Sequence, residues 1–246
     1  MKPDTPCLMF ALRRESMFFR RDCPPRFHLH SAPCAAYLTG PISPEVLVLE
    51  TGVGRYAVER SLAWVLGEQV HPRFVLYAGF AGALTPALGV CDLLLADTIV
   101  DGAGHTWETT WPDPSAIGIR RGRLLTSERL LGSVDDKRQC GTRHHADAVD
   151  MEAAHVAAIC TERRVPFGCL RAMSDAVDTP LSPALLSLLA GGRVSPWRAA
   201  LEAARHPSVL AEYWRLERDT RHAARALAIA LRTLLFSPQP ENFATA

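Results

Sequence analysis

A chain of 246 residues with 48% apolar side chains can bury a full core, and an α/β protein of this size is commonly one domain, so residues 1–246 are expected to form a single globular unit. Its 27 basic and 26 acidic residues leave a formal net charge of +1, and no long block of one sign occurs, which argues against a nucleic-acid partner. Seven cysteines, odd in number and never spaced C-x-x-C, speak against a disulfide framework or a zinc cage, and no stretch approaches the roughly 18 apolar residues that span a bilayer. A soluble, cytoplasmic protein with reduced thiols is the expectation.

In chain order, short apolar runs alternate with helical patterns, which predicts an α/β sheet covered by helices. Residues 7–12 read as a first strand, and residues 46–50 as a later one that runs into Thr51-Gly52-Val53-Gly54. Residues 55–67 have helical spacing, with Val58, Leu62, Val65 and Leu66 on one stripe. Residues 74–78 read as a buried strand ending in the small-residue turn Gly79-Phe80-Ala81-Gly82, and a turn flanked by Gly89 and Asp92 precedes a strand over 93–100. Residues 150–163 are predicted to be a helix whose first turn carries two carboxylates, where the helix dipole favours negative charge. Pro166 interrupts the pattern and residues 167–172 return as a strand. Residues 105–119 and 179–196, both containing prolines, read as loops. The Arg/Ala/Leu-rich segment 208–235 reads as one long or two short amphipathic helices forming a C-terminal tail.

Ligands of open α/β sheets bind beyond the carboxyl ends of strands. Here three strand ends deliver 52–54, 79–82 and 171–175 to one side. Glycines there let a ligand approach the backbone, although tight turns alone explain each loop as well. Glu152 taken by itself reads as a solvated or capping carboxylate, and Asp175 by itself as an N-cap.

Taken together, these residues carry a resemblance. Val149-Asp150-Met151-Glu152-Ala153-Ala154 followed by Leu170-Arg171-Ala172-Met173-Ser174-Asp175 resembles the paired signatures of the purine nucleoside phosphorylase and nucleosidase superfamily. Thr51-Gly52-Val53-Gly54 and Gly79-Phe80-Ala81-Gly82-Ala83-Leu84, with Gly89-Val90-Cys91-Asp92 behind them, are similar to its N-terminal loops. Ala11-Leu12-Arg13-Arg14-Glu15 is similar to the first strand-to-helix turn, where the nucleosidase branch, including methylthioadenosine/S-adenosylhomocysteine nucleosidases, carries a catalytic glutamate. The resemblance covers about residues 7–178. It implies a single-domain mixed sheet flanked by helices on both faces and a homo-oligomer. The implied activity is cleavage of the N-glycosidic bond of a small-molecule purine nucleoside, with adenine as the expected base. No cofactor and no metal is implied, with phosphate a possible co-substrate.

The resemblance also assigns roles that suit the chemistry. Cleavage builds positive charge on the sugar and negative charge on the departing base, so an acid near purine N7 and an anion near the sugar both lower the barrier. Asp175 is the expected acid, and Ser174 the residue that orients it. Glu152 is expected to hold the ribose hydroxyls, with Met151 packed on the sugar. Arg171 and Glu15 are expected to position the attacking group. Gly82, Phe80 and Leu130 complete the expected substrate-binding set.

The attacking group, water or phosphate, stays open at this point. Phe80 fills a position where the family commonly has a Ser or Thr that donates to phosphate, and Tyr77 stands where some phosphorylases place an arginine. Glu15 favours water, because a carboxylate activates water and repels phosphate. Arg13, Arg14 and Arg55 either rebuild an anion pocket or are solvated. The order Val134-Asp135-Asp136-Lys137, then 149–152, 171–178 and Pro183-Ala184-Leu185 with a basic tail, is similar to the hopanoid-associated phosphorylase branch. That branch implies an apolar channel, for which Phe80, Trp107, Trp111, Leu130 and Leu131 are candidates, with core packing the competing reading. A non-catalytic nucleoside-binding protein of the same fold is the alternative function. His28, His30, His144 and His145 lack a further ligand at a telling spacing. Trp197 and Trp214 are expected to pack, and Cys160 and Cys169 to be small buried hydrophobes.

Overall fold

The computed structural model describes residues 5–40, 45–67, 72–111, 118–189 and 208–236. In chain order the elements are β1 (Cys7–Phe10), α1 (Arg13–Asp22), β2 (Phe27–His28), β3 (Ala35–Thr39), β4 (Val46–Glu50) and α2 (Arg55–Val65). There follow β5 (Val75–Ala83), β6 (Leu93–Asp101), β7 (Thr106–Glu108), β8 (Arg120–Thr126), α3 (Val134–His144) and β9 (Ala148–Asp150). The chain ends with α4 (Ala153–Glu162), β10 (Phe167–Asp175), α5 (Pro183–Leu189) and α6 (Ser208–Phe236).

These strands make one mixed sheet. β2, β3, β4, β1 and β5 lie side by side in that order. From β5 the pairings continue through β10, β6, β8 and β9 and return to β5, so half of the sheet closes on itself. Alternation along the central strands explains the layers. Cys7, Met9, Leu47, Leu49, Val75 and Tyr77 face a core completed by Val58, Leu62 and Val65 of α2 and by Ala153, Val156, Ala157 and Cys160 of α4. Leu8, Phe10, Val46, Val48, Leu76 and Ala78 face the opposite core, with Phe18 and Phe19 of α1 and Ala223, Leu227, Leu231 and Leu234 of α6. A period of two with both faces apolar is what a doubly covered strand requires, so the mixed sheet flanked by helices on both faces is the observed architecture.

Several boundaries differ from the sequence reading. The segment 79–82 is not a turn: β5 runs straight through it to Ala83. Small residues occur there because the space beside the strand is taken, since a Cβ on Gly79 would lie 2.5 Å from both Arg171 Nη1 and Glu15 Oε1. β10 likewise extends to Asp175, with a register shift between Met173 and Asp175 against β5. Asp150 ends β9, and α4 starts only at Ala153 with Glu152 as its N-cap. The expected loop over 105–119 contains β7, and that over 179–196 contains α5 as far as Leu189. The C-terminal segment is one helix. Trp214 does not pack inside: it is 65% exposed, whereas Trp197 lies outside the described residues. His145 adopts a left-handed conformation as the C-cap of α3, a capping role that answers for one of the adjacent histidines.

Candidate active site

A cavity opens beside the C-terminal ends of β5 and β10, and four carboxylates reach it from separate elements: Glu15 from α1, Asp150 from β9, Glu152 from the start of α4 and Asp175 from the end of β10. Phe80, Gly82, Leu130, Met151 and Ser174 line it too, together with Val53, Leu131, Lys137, Leu181 and the exposed Arg129. The sequence-predicted site residues therefore converge on one place, with Arg171 the exception.

Arg171 lies beneath the cavity, not in its wall. It is fully buried on β10, its Nη2 is 2.5 Å from Asp150 Oδ2, and its guanidinium sits 4.2 Å from the centre of the Tyr77 ring. Asp150 is held in turn by Thr126 Oγ1 at 2.8 Å and by the Ala153 N–H at 3.0 Å. Ala154 N–H donates to the Thr126 hydroxyl at 2.9 Å. Arg171 thus ties β10, β9 and the first turn of α4 to one buried charge and fixes the carboxylates above it. Arg171, expected to position the attacking group, is thus not among the residues that line the cavity. Tyr77, standing where some phosphorylases place an arginine, is instead the aromatic face on which this arginine rests.

Glu15 bridges a helix and a strand. Its Oε2 accepts from the Leu12 N–H at 2.7 Å, closing the first turn of α1, and its Oε1 accepts from the Phe80 N–H on β5 at 2.9 Å. Burial raises its pKa, while the Arg171 charge and the backbone donors pull the other way. Glu152 accepts from the Gly54 N–H at 3.0 Å. Gly54 has φ +91°, a conformation that favours glycine and turns this N–H toward the carboxylate. Burial, then the charge of Asp150, raise the Glu152 pKa to about 7 against the opposing pull of Arg171.

Asp175 is held by two side chains. Ser174 Oγ donates to its Oδ1 at 2.7 Å, the orienting contact expected from the sequence. Its Oδ2 contacts Lys137 Nζ at 2.5 Å, and Lys137 is 1% exposed. Lys137, part of the motif Val134-Asp135-Asp136-Lys137, is a cavity residue that was not among the expected site residues. A signal was present: Val134, Lys137 and Gly141 fall on one helical stripe, and it is this stripe that α3 turns inward, with Gly141 close enough to Leu84 that a Cβ would meet its carbonyl at 2.9 Å.

Other candidates separate cleanly. Arg13, Arg14 and Arg55 are exposed and outside the cavity wall, Arg14 pairing with Glu217 at 2.5 Å and Arg55 with Glu59 at 2.6 Å. Trp111 is core, edge-on to Phe74 at 4.8 Å, and Trp107 packs against the core beside α4, so neither belongs to an apolar channel. Phe80, Leu130 and Leu131 do line the cavity. Among the described residues no group of three or more His, Cys, Asp or Glu side chains is placed to hold a metal ion.

The arrangement is that of a nucleosidase-type α/β fold. A 5′-methylthioadenosine/S-adenosylhomocysteine nucleosidase structure from Neisseria meningitidis, complexed with methylthio-immucillin-A, superposes with a TM-score of 0.72 at 17% identity over 96% of this chain and 100% of that one. The futalosine hydrolase of Helicobacter pylori superposes with a TM-score of 0.70 at 19% identity over 94% of this chain and 97% of that one. In sequence, the 5′-methylthioadenosine/S-adenosylhomocysteine nucleosidase of Staphylococcus haemolyticus is 25% identical over 159 residues, 54% of this chain and 69% of its own length. The pattern that defines the phosphorylase superfamily matches residues 115–187, which include α3, β9, α4 and β10. By this segment, by sequence and by fold, the chain is similar to the nucleoside phosphorylases and nucleosidases.

Proposed function

We propose that this protein is a nucleosidase, an enzyme that cleaves the N-glycosidic bond of an adenosine derivative with water as the attacking group. The observation that carries this reading is the charge pattern of the cavity. Glu15, Glu152 and Asp175 bring three buried carboxylates to it, and the two buried cations nearby, Lys137 and Arg171, are committed elsewhere, which leaves the exposed Arg129 as the cation of the wall. Lys137 has its three donors on Asp175 and two carbonyls, and Arg171 lies below, paired with Asp150. A phosphate dianion brought into such a site meets repulsion and few donors, whereas water meets a base. The relatives named as nucleosidases support the same choice.

In this reading Asp175 delivers a proton to N7 of the departing adenine, and Glu152 accepts hydrogen bonds from the ribose hydroxyls, which strengthen as the sugar becomes cationic. Glu15, raised by burial toward a useful base, takes a proton from the attacking water. Met151 packs on the sugar, and Phe80, Leu130 and Leu131 offer an apolar wall to a 5′ substituent such as a thioether arm. Val53 and Leu130 leave apolar surface exposed at the cavity, which supports a homo-oligomer in which a second copy covers it.

Measuring adenine release from adenosine, methylthioadenosine and S-adenosylhomocysteine, each with and without phosphate, tests the reading. The thioether nucleosides are expected to be cleaved faster than adenosine, by the same rate in both buffers. A requirement for phosphate would overturn the choice of water. Equal rates on all three would remove the apolar arm as a determinant.

A further inference from the structure

We propose that Lys137 holds the proton that Asp175 delivers to the departing base, so that the acid of this site is the lysine and aspartate pair and not the aspartate alone. The inference deepens the N-glycosidic cleavage proposed above and rests on it.

An aspartate with an ordinary pKa of about 3.9 is ionised at neutral pH and has nothing to donate. The structure places an N–H donor against it. Lys137 Nζ has three N–H donors, and they are directed to Ala176 O at 2.9 Å, Thr179 O at 2.9 Å and Asp175 Oδ2 at 2.5 Å. Two of these partners are carbonyls, which keep their hydrogen bonds whether the lysine is charged or neutral. The third is the oxygen that faces the cavity residue Gly82, whose added Cβ would lie 3.1 Å from it. Neutral Lys137 still satisfies both carbonyls and turns its lone pair to a protonated Oδ2, so the proton moves without leaving a buried group unpaired.

The transfer balances. As the C1′–N9 electron pair returns to the purine, the Nζ–H bond breaks while Oδ2–H forms, and that Oδ2–H bond breaks while N7–H forms. Lys137 regains a proton from solvent when the products leave, and the proton that water gave to Glu15 returns to solvent. The other charged groups facing this pair are Glu15 from α1, Arg129 from the segment before α3, Asp150 and Glu152 from β9 and the start of α4, with Arg171 below on β10. Asp136 and Arg138 flank Lys137 on α3, and Asp178, in the loop that supplies the carbonyls, is exposed. None of these makes a hydrogen bond to Lys137 Nζ. Lys137 is thus a positioning and proton-holding residue that acts through Asp175.

The test is the pH dependence of kcat for adenine release by the wild-type protein and by Lys137→Met, with thermal melts to confirm folding. The wild type is expected to hold its kcat through neutral pH and to lose it only on the alkaline side. In Lys137→Met the basic limb of kcat should move down by about two pH units or more, and kcat at neutral pH should fall about tenfold or more with little change in KM. An unmoved limb, or an equal loss at every pH, would overturn the inference. Where Lys137→Met fails to fold, the wild-type profile decides alone, because a basic limb at or below neutral pH assigns the proton to Asp175. A wild type that releases adenine with that lower limb defeats only the role of Lys137; one that releases none at any pH defeats the proposed cleavage as well.

Discussion

Glu152 shows how the site works against the fold that carries it. Its pKa is raised to about 7 from an ordinary 4.5, first by burial and then by the charge of Asp150. The folded protein therefore binds more protons than the unfolded chain between those values, and stability falls as pH rises through that window. The cost is absent below about pH 4.5 and complete above about pH 7, where it amounts to about 3 kcal/mol. Glu152→Gln keeps an acceptor for the Gly54 N–H and removes the charge. We expect it to melt above the wild type at pH 8, the gap closing toward pH 5, and to lose kcat by about a hundredfold. A melting difference that is flat in pH would contradict this account of the carboxylate. At this scale the legible residues were those whose type is unusual where it stands, Glu152 and Asp175 at the edges of apolar segments. Lys137 was missed because the charged run Asp135-Asp136-Lys137-Arg138 reads as a solvated face and masks the stripe that Lys137 shares with Val134 and Gly141. Arg171 was named as a site candidate, but its depth was hidden, since nothing in the sequence says that Tyr77, Asp150 and Gly79 close around it.

At the scale of elements, the site depends on how closely β5 can approach its neighbours. A Cβ on Gly82 would sit 3.1 Å from Asp175 Oδ2, close enough to displace the carboxylate by a few tenths of an ångström. Gly82→Ala should therefore fold nearly as well as the wild type while losing about tenfold or more in kcat, because catalysis tolerates less displacement than packing does. Gly79→Ala places its methyl 2.5 Å from Arg171 Nη1 and Glu15 Oε1, both buried and hydrogen-bonded, and should lower stability by about 1–3 kcal/mol in a melt. The apolar runs made β1, β4, β5, β10 and α2 readable, since alternation and helical spacing are strong there. β8 escaped because it opens Arg120-Arg121-Gly122-Arg123 and becomes fully buried only at its end. β9 is three residues long, too short for any period, so Asp150 was absorbed into the helix that follows. The turn read over 79–82 was an error of the same kind: glycine marks close approach as readily as it marks a bend.

For the whole molecule, the two cores divide the work. The α2 and α4 face supports the strand ends that carry the site, and the α1 and α6 face holds Glu15 in place through the packing of Phe18 and Phe19 beside α6. Leu231 of α6 is fully buried in that second core, so Leu231→Ala should cost about 2–5 kcal/mol of stability by chemical denaturation. The fold class was legible because alternating strand and helix patterns permit few architectures, whereas the closure of β5, β10, β6, β8 and β9 was not, since pairing partners far apart in sequence leave no local mark. At this scale the central claim is that Glu15, Glu152 and Asp175 around one cavity make a water-using nucleosidase with Asp175 as the group that protonates the base. The most direct measurement is adenine release from methylthioadenosine in phosphate-free buffer by the wild type and by Asp175→Asn. Turnover by the wild type that falls by a factor of about 10² or more in the variant is the predicted result. Release that requires phosphate, or that survives Asp175→Asn unchanged, would contradict it.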